Sequence, residues 1–232
     1  MKCLYPIDDH TVYRFSMPVI DSSMYLVEGG GSCLIVDPCV SKEAEALLRD
    51  RQIRDCWILL THEHYDHISG VCRLRERLPC RVVCTEACAA RIGDPKKNCA
   101  AYAEALVIAK SEREQLEFAR SVEKGYACRA DVTYSGQAEL RWQDLTLTLR
   151  EAPGHSPGSQ IVEIGRHWYF TGDSLIPGTE AITRFPGGSR RAYERVTMPY
   201  LRTIRPGSVL FPGHGSEAVF EGYPEDGGGI QG

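Results

Sequence analysis

The stretch THEHYDH, residues 61–67, directly follows a run of apolar residues, CWILL at 56–60. It contains three histidines, a glutamate and an aspartate. The apolar run predicts a short buried strand, so the polar residues lie in the loop that leaves this strand. Loops at strand ends are where a rigid scaffold presents reactive side chains. The stretch is therefore a candidate metal-binding loop, and the alternative is a polar turn that is merely rich in histidine.

Other metal-competent side chains lie at further predicted strand ends. His155 is in APGHSPGS, Asp173 in FTGDS and His214 in FPGHG. Small residues on either side of each let the backbone bend tightly and leave room for an ion. A single PGH or TGD turn is weak evidence, but the order HxHxDH, PGH, GD and PGH predicts a dinuclear metal site.

The predicted ligands divide into two sets, because side-chain direction alternates along an extended backbone. Three imidazoles on the first ion leave a position for water, and a carboxylate with two oxygens can bridge both ions. The sets are His62, His64 and His155 for the first ion, Asp66, His67 and His214 for the second, and Asp173 as the bridge. Glu63 is not assigned as a ligand.

Composition limits the classes of function. The chain has 232 residues, 43% hydrophobic and 25% charged, with a formal net charge of -4, which is typical of a globular protein without general attraction to nucleic acid or anionic membranes. The N-terminal MKCLYPIDDH lacks an apolar signal core, and no run approaches the roughly 20 apolar residues of a membrane span. We expect a single domain over residues 1–232 in the cytoplasm, with no membrane or nucleic-acid partner.

The ten cysteines are interpreted as buried free thiols, because a chain of this length does not need disulfides for stability. Cys80, Cys84 and Cys88 are evenly spaced and offer an alternative metal site. RVVCT reads as a strand and EACAARIG as a helix, so a common face for the three thiols is not expected.

Strand and helix patterns alternate along both halves of the chain, which predicts an α/β fold. SMYLVEG and CLIVDP form a predicted hairpin, and Ser41 begins a predicted helix over 41–51. The segment 98–124 lacks Pro and Gly and predicts one or two helices. The other predicted elements are the strands RVVCT, LTLTLREA, SQIVEIG, HWYFTGD and SVLFPGHG, and helices in SGVCRLRERL and near 190–204.

The motifs THEHYDH, APGHSPGS, TGD and FPGHG occur in the order found in metallo-β-lactamase-fold hydrolases, and the chain resembles this superfamily. The resemblance implies a four-layer αβ/βα sandwich with two facing sheets and the metals at one edge, here with a helical insertion near 98–124. It implies the same two ligand sets. It also implies that Asp37, in the VDP segment, supports the site from behind the ligands.

Differences between this chain and individual branches of the superfamily indicate which branch it resembles most. Asp173 at the bridge disfavours β-lactamases with a zinc-bound cysteine, and His64 stands where flavodiiron oxidoreductases place glutamate. Hydroxyacylglutathione hydrolases share the ligand set but continue into a helical glutathione-binding region, whereas 18 residues follow His214 here. Nucleic-acid-processing members carry further domains. The pattern is most similar to compact, hydroxyacylglutathione hydrolase-like members of the thioesterase and lactonase branches.

The expected activity is hydrolysis by a hydroxide that bridges two divalent metal ions and attacks the carbonyl of a thioester, ester or lactone. Zinc is the expected metal, and iron or manganese also suits histidine and aspartate ligands. Asp66 is the expected catalytic residue, as a proton acceptor. A metal-dependent phosphodiesterase is the alternative, and a metal-binding module without catalysis is a third hypothesis.

The expected partner is a small molecule that can carry negative charge. Arg184, beside the FPGG turn in an arginine-rich stretch, is a candidate substrate-binding residue, since guanidinium binds carboxylate and phosphate. The alternative is that these arginines form the solvated face of a helix. Tyr102, in the insertion, is a second candidate if that segment covers the metals. The insertion can equally serve packing or a homodimer interface.

Overall fold

The computed structural model describes residues 2–3 and 6–223 of the chain. Its first sheet has seven strands that neighbour one another in chain order. They are β1 (Lys2–Cys3), β2 (Thr11–Ser16), β3 (Ser23–Gly29), β4 (Ser32–Val36), β5 (Asp55–Leu59), β6 (Cys80–Thr85) and β7 (Val132–Tyr134). The strands β1 to β4 are antiparallel, which includes the predicted hairpin, and β4 to β7 are parallel.

The second sheet has six strands in the order β13, β12, β11, β10, β9 and β8. Their bounds are β8 (Gln137–Trp142), β9 (Leu145–Glu151), β10 (Gln160–Ile164), β11 (Trp168–Gly172), β12 (Val209–Pro212) and β13 (Ala218–Val219). All neighbours are antiparallel except β11 and β12, which run parallel. In β9 the leucines are buried and the threonines are more exposed, so the alternation in LTLTL matches one covered face.

Helices cover the outer faces of both sheets. They are α1 (Lys42–Asp50), α2 (Tyr65–Ile68), α3 (Val71–Arg75), α4 (Glu86–Ile92), α5 (Glu112–Ser121), α6 (Arg190–Ala192) and α7 (Met198–Leu201). A π-helix, Tyr193–Thr197, joins α6 to α7, so the helix predicted near 190–204 is continuous. Ser41 caps α1 as predicted, accepting a hydrogen bond from the Ala44 amide. Among the described residues, no helix has the length and apolar character needed to cross a membrane.

Three hydrophobic clusters fill the spaces between the layers. The strand β4 is buried on both faces: Ile35 packs in the cluster under the first-half helices, whereas Leu34 and Val36 pack between the two sheets. A third cluster joins the outer face of the second sheet to the last helices through Tyr169 and Leu201. The order helix, sheet, sheet, helix confirms the four-layer αβ/βα sandwich.

The insertion at 98–124 is helical, as predicted. Its first part is a 3-10 helix, Ala100–Val107, entered through Cys99 in the left-handed region at φ 65°. Its second part is α5, where Ser111 and Glu114 form a capping box. Phe118 is buried and fixes α5 to the cluster beneath it.

The nine cysteines from Cys33 to Cys128 are free thiols, as predicted, but only five of them are buried. The other four, Cys72, Cys80, Cys99 and Cys128, are partly exposed. Cys33, Cys56 and Cys80 lie side by side in register on β4, β5 and β6, and the Cys56 and Cys80 sulfurs are 2.9 Å apart. Within residues 2–3 and 6–223, no group of side chains that could hold a metal contains a cysteine. The evenly spaced Cys80, Cys84 and Cys88 therefore gain no support as a metal site.

Candidate metal centre

The sequence motifs meet at one edge of the sandwich because they follow strands that end there. THEHYDH follows β5, and Asp37 follows β4, which is parallel to β5. Asp173 follows β11, and His214 follows β12 shortly after the strand ends. Parallel neighbours end at the same edge of a sheet, so each sheet delivers its polar residues to the same place.

Hydrogen bonds between the sheets hold this edge together. The Ser23 amide at the start of β3 donates to the Gly213 carbonyl oxygen at 2.6 Å. The Gln160 amide at the start of β10 donates to the Thr61 carbonyl oxygen at 2.7 Å, and its side-chain amide donates to the Leu60 carbonyl oxygen at 2.6 Å. The site is therefore organised by the protein itself.

The first predicted set, His62, His64 and His155, forms a group whose ligand atoms all lie within 4.8 Å of one another. His155 Nε2 is 3.0 Å from His64 Nδ1, while His155 Nδ1 donates to the Ile182 carbonyl oxygen at 2.8 Å. Thr61 Oγ1 donates to Asp37 and so accepts from His62 Nδ1 at 3.1 Å. His62 and His155 therefore present Nε2 to the centre of the group, and His64 presents Nδ1.

The second predicted set, Asp66, His67 and His214, forms another such group. Asp66 Oδ2 is 3.2 Å from His67 Nε2 and 3.3 Å from His214 Nε2. The opposite nitrogen of His214, Nδ1, donates to the Ile20 carbonyl oxygen at 3.1 Å, which fixes the ring so that Nε2 faces the group.

Asp173 lies between the two groups. Its Oδ2 is 3.4 Å from His155 Nε2 and 3.5 Å from His214 Nε2, and its Oδ1 is 3.6 Å from His67 Nε2. A Cβ on Gly213 would lie only 2.1 Å from Asp173 Oδ1, so glycine is needed for this approach. A carboxylate that faces both groups is suited to bridge two cations.

The charge states of His62, His64, His155 and Asp173 suit metal ligands, whereas His67 and His214 would release a proton on binding a cation. At these two histidines burial opposes protonation, but Asp66 and Asp173 outweigh it and raise the pKa. Burial lowers the pKa of His62 and His155, and that of His64 to about 3, so these imidazoles are neutral at neutral pH. Burial opposes ionisation of Asp173, but the facing histidines outweigh it and hold its pKa below the usual value. Neutral imidazole and ionised carboxylate are the forms that bind metal.

Two buried polar atoms support the fit to cations. His62 Nε2 and Asp173 Oδ1 face the ligand groups and are buried without a hydrogen-bond partner among the described residues. Leaving such atoms unpaired is costly, and a bound cation would satisfy the nitrogen or oxygen that faces it. The donor set of imidazoles and carboxylates can hold zinc, iron or manganese.

Asp37 lies behind the cluster, where the resemblance implies a supporting role. It accepts hydrogen bonds from the Thr61 amide at 2.6 Å, from Thr61 Oγ1 at 2.5 Å and from His67 Nδ1 at 3.0 Å. Ligand atoms of Asp37, His62 and His67 lie within 4.8 Å of one another, so these residues form a third group that could hold a metal. The three hydrogen bonds, however, already occupy the oxygens of Asp37. Asp37 therefore orients His67 so that Nε2 faces Asp66.

Glu63 has a role that the sequence analysis does not predict. Its side chain is fully buried, and its Oε2 accepts from Ser156 Oγ at 2.7 Å and from the Gly158 amide at 3.2 Å. Arg91 Nε of α4 lies 2.7 Å from Oε1 as an ion pair rather than an aligned hydrogen bond. Glu63 thus holds the loop that carries His155. The signal in the sequence that could have indicated this role is an acidic residue at the middle position of HxH, where no metal ligand is required.

A cavity of about 490 Å³ opens beside the cluster, with His64, Asp66, Asp173 and His214 in its lining. Neither of the predicted substrate-binding residues lines it: Arg184 is exposed, and Tyr102 is 54% exposed. Their contact with substrate stays a prediction. Lys110 and Phe185 line the cavity instead.

Curated relatives match this chain at modest identity. The chain is 29% identical over 195 residues to the hydroxyacylglutathione hydrolase of Anaeromyxobacter dehalogenans, and the match covers 84% of the chain and 61% of the relative. It is 26% identical to the probable metallo-hydrolase YqgX of Bacillus subtilis, over 87% of the chain and 89% of that protein. The chain thus spans less than two thirds of the length of the first of these relatives.

Solved structures share the fold. The crystal structure of the BLEG-1 B3 metallo-beta-lactamase aligns with a TM-score of 0.72 at 22% identity, covering 90% of this chain and 93% of that one. TTHA1623, crystallised in a di-iron-bound form, aligns with a TM-score of 0.69 at 24% identity, covering 89% and 94%. The sequence profile of the metallo-beta-lactamase superfamily matches residues 17–216. With most of its length matched and the family's motifs assembled at one sheet edge, this chain belongs to the metallo-beta-lactamase superfamily.

Proposed function

We propose that the chain is a dinuclear metal-dependent hydrolase that cleaves a thioester, ester or lactone of a small substrate. The observation that carries the proposal is the position of Asp173, whose carboxylate faces His155 of one ligand group and His67 and His214 of the other. Both groups border the same cavity, so a substrate in the cavity would meet them together.

Superfamily membership and the hydroxyacylglutathione hydrolase relative support hydrolysis of an acyl bond. The proposed ligands are His62, His64 and His155 for one cation, Asp66, His67 and His214 for the other, and Asp173 between them. Zinc is the proposed metal, and the same donors suit iron and manganese. Two bound cations supply Lewis acidity toward a carbonyl oxygen and make water nucleophilic at neutral pH.

The chain's own residues would then position and transfer protons. Asp66 borders the cavity, and although burial opposes its ionisation, His67 and His214 hold its pKa well below the usual value. Its carboxylate would therefore be ionised, as a proton acceptor must be, and from its place at the cavity we assign it as the acceptor of the proton that water loses during attack on the carbonyl. Asp37 and the Ile20 carbonyl oxygen would keep His67 and His214 in one orientation throughout.

The test compares substrates and variants on the purified protein. Metal content would be measured by elemental analysis, and hydrolysis with a hydroxyacylglutathione thioester, a lactone, p-nitrophenyl acetate and bis(p-nitrophenyl) phosphate. We expect two metal ions per chain and turnover of at least one acyl substrate, both reduced in His64→Ala. His167→Ala is the matched control, because His167 is exposed and follows β10 away from the cluster.

Three results would contradict the proposal. Turnover of the phosphodiester without any acyl substrate would favour the phosphodiesterase alternative. Bound metal without any turnover would favour a binding module. Ester hydrolysis that is unchanged in His64→Ala would mean that another site performs the reaction.

A further inference from the structure

The cavity beside the metal cluster has an apolar wall that begins directly at the proposed ligands. The ring of Phe185 lies edge-on to His64 and His155, with ring centroids 5.5 Å and 5.6 Å apart. Any group bound to a reacting carbonyl at the cluster therefore meets hydrocarbon surface at once.

The rest of the wall is also apolar and comes from two segments. Leu106 belongs to the 3-10 helix of the insertion, and Ile176, Pro177 and Ile182 belong to the loop after β11. Leu106 and Ile182 are 39% and 36% exposed, so both leave apolar surface in contact with water. A hydrocarbon ligand that covered them would gain the free energy of burying apolar surface.

The wall offers few hydrogen-bonding groups to a polar ligand. Tyr65 lines the cavity, but its hydroxyl accepts from the Glu123 amide at 3.0 Å and lies near the Ser121 carbonyl oxygen, so the phenol oxygen is already engaged. Thr179 and Cys99 add one hydroxyl and one thiol to the lining. A polar peptide-like group would therefore replace few of the hydrogen bonds that it makes to water, which costs free energy.

Lys110 is the one cationic side chain in the lining outside the histidine and aspartate cluster. It is exposed, between the 3-10 helix and α5, and within the described segments it makes no ion pair with a carboxylate. The lining has no acidic residue apart from Asp66 and Asp173. Glu114 of α5 interacts electrostatically with Lys110 but does not line the cavity. An anionic group at the mouth of the cavity would therefore meet this ammonium without an opposing carboxylate on the wall.

From these features we infer that the preferred substrate is an ester or thioester whose acyl group is a hydrocarbon chain ending in an anionic group. The chain lies against Phe185, Leu106 and Ile182, and the anion pairs with Lys110. This inference rests on the proposed hydrolase function and names its substrate class.

The first test measures the dependence on acyl chain length. With p-nitrophenyl esters from acetate to hexanoate, kcat/KM should rise about two- to fourfold for each methylene, the range for burying part or all of it. Leu106→Asn should flatten this rise. The matched control is Leu116→Asn, because Leu116 is also exposed on the insertion but does not line the cavity.

The second test isolates the charge at the end of the chain. Mono-p-nitrophenyl adipate and p-nitrophenyl hexanoate have acyl chains of equal length and differ in the terminal carboxylate. Lys110→Met should raise KM for the adipate ester about fivefold, as expected for loss of an exposed ion pair, and leave the hexanoate ester within about twofold. Lys97→Met, which removes another exposed lysine, should change neither.

A binding measurement gives a readout that does not depend on turnover. Isothermal titration of the protein as purified with 7-oxooctanoate and with 2-octanone, two ketones of equal length, should show tighter binding of the anion, lost in Lys110→Met. The inference is overturned if kcat/KM does not change with acyl chain length, or if Lys110→Met changes KM for the adipate and hexanoate esters equally. In either case hydrolysis of the acetate ester would still uphold the proposed function. Failure to hydrolyse every ester overturns both.

Discussion

The metal cluster and the cavity wall lie side by side but are built differently. The ligand side chains sit at strand ends, and those of His62, His67 and His155 are almost completely buried, with their opposite ring nitrogens engaged by Thr61, Asp37 or a main-chain oxygen. The wall comes from an insertion and a loop, and its apolar side chains are partly exposed. The proposed metal ligands therefore lie on rigid strand ends, whereas the proposed substrate contacts lie on an insertion and a loop.

The largest expected effect on kcat/KM distinguishes a substitution in the metal cluster from one in the cavity wall. Asp173→Ala removes the carboxylate that faces both ligand groups, and we expect kcat/KM on an ester to fall by at least about 1000-fold because both cations would lose a ligand. Leu106→Ala, on the wall, should lower it less than about tenfold. Steady-state kinetics on p-nitrophenyl butyrate measures both. Equal losses would mean that the wall and the cluster act as one unit.

The second effect concerns the support of the His155 loop. Arg91→Met leaves buried Glu63 without its ion-pair partner, and the free energy of unfolding should fall by about 3 kcal/mol, the lower part of the range because Arg91 is partly exposed. Urea unfolding measures this change. Glu63→Gln combined with Arg91→Met should recover much of the loss, since no buried charge remains.

The matched control for that prediction is Arg190→Met, which removes the exposed ion pair with Glu194. We expect a change below about 1 kcal/mol, as is typical of surface pairs. If Arg91→Met is no more destabilising than Arg190→Met, then Glu63 does not depend on its partner.

A third effect tests support from behind the ligands. Asp37→Asn keeps the shape of the side chain but weakens its hold on His67 Nδ1, and metal affinity should fall about 10- to 100-fold. Competition with a chromogenic chelator measures it. Asp55→Asn is the control, because Asp55 is exposed and accepts a hydrogen bond from Ser32 at the end of β5 that is remote from the cluster. Unchanged affinity in Asp37→Asn would remove its orienting role.

The smallest effects should come from the exposed residues that the sequence favoured as substrate contacts. Arg184→Ala and Tyr102→Ala should each change KM less than about twofold, in the range of surface substitutions. Phe185→Ala should raise KM for hexanoate esters about fivefold or more, because it removes apolar wall beside the ligands. A larger KM change in Arg184→Ala than in Phe185→Ala would support the sequence-based assignment instead.

The fold and the arrangement of the cluster follow from local signals in the chain. CWILL, SCLIV and LTLTL carry the apolar patterns of buried strands, and each metal-competent motif directly follows such a strand or a tight turn. Neighbouring parallel strands end at the same edge of a sheet, so motifs that follow such strands lie close together in the fold. The resemblance added the layer order, which periodicity alone does not contain.

Other features depend on contacts that the sequence does not display. The sequence does not predict strand β8, QAELRW, because Ala and Glu have low strand propensity and pairing with β9 decides its structure. The contact of Glu63 with Ser156 joins residues 93 positions apart. The sequence does not predict Lys110 as a substrate-binding residue, because an exposed lysine has no distinguishing sequence signal until the cavity beside it is known.

The hydrogen bonds that join the sheets at the site have a consequence for metal exchange. Ser23 with Gly213, and Gln160 with Thr61, connect the two sheets by direct main-chain hydrogen bonds. A cation leaving the cluster would therefore leave the sandwich assembled, unlike small domains that unfold when their metal is removed. Removal and reloading can then take place in the folded protein, so the metal it carries would follow the supply of cations around the finished chain rather than the conditions of its folding.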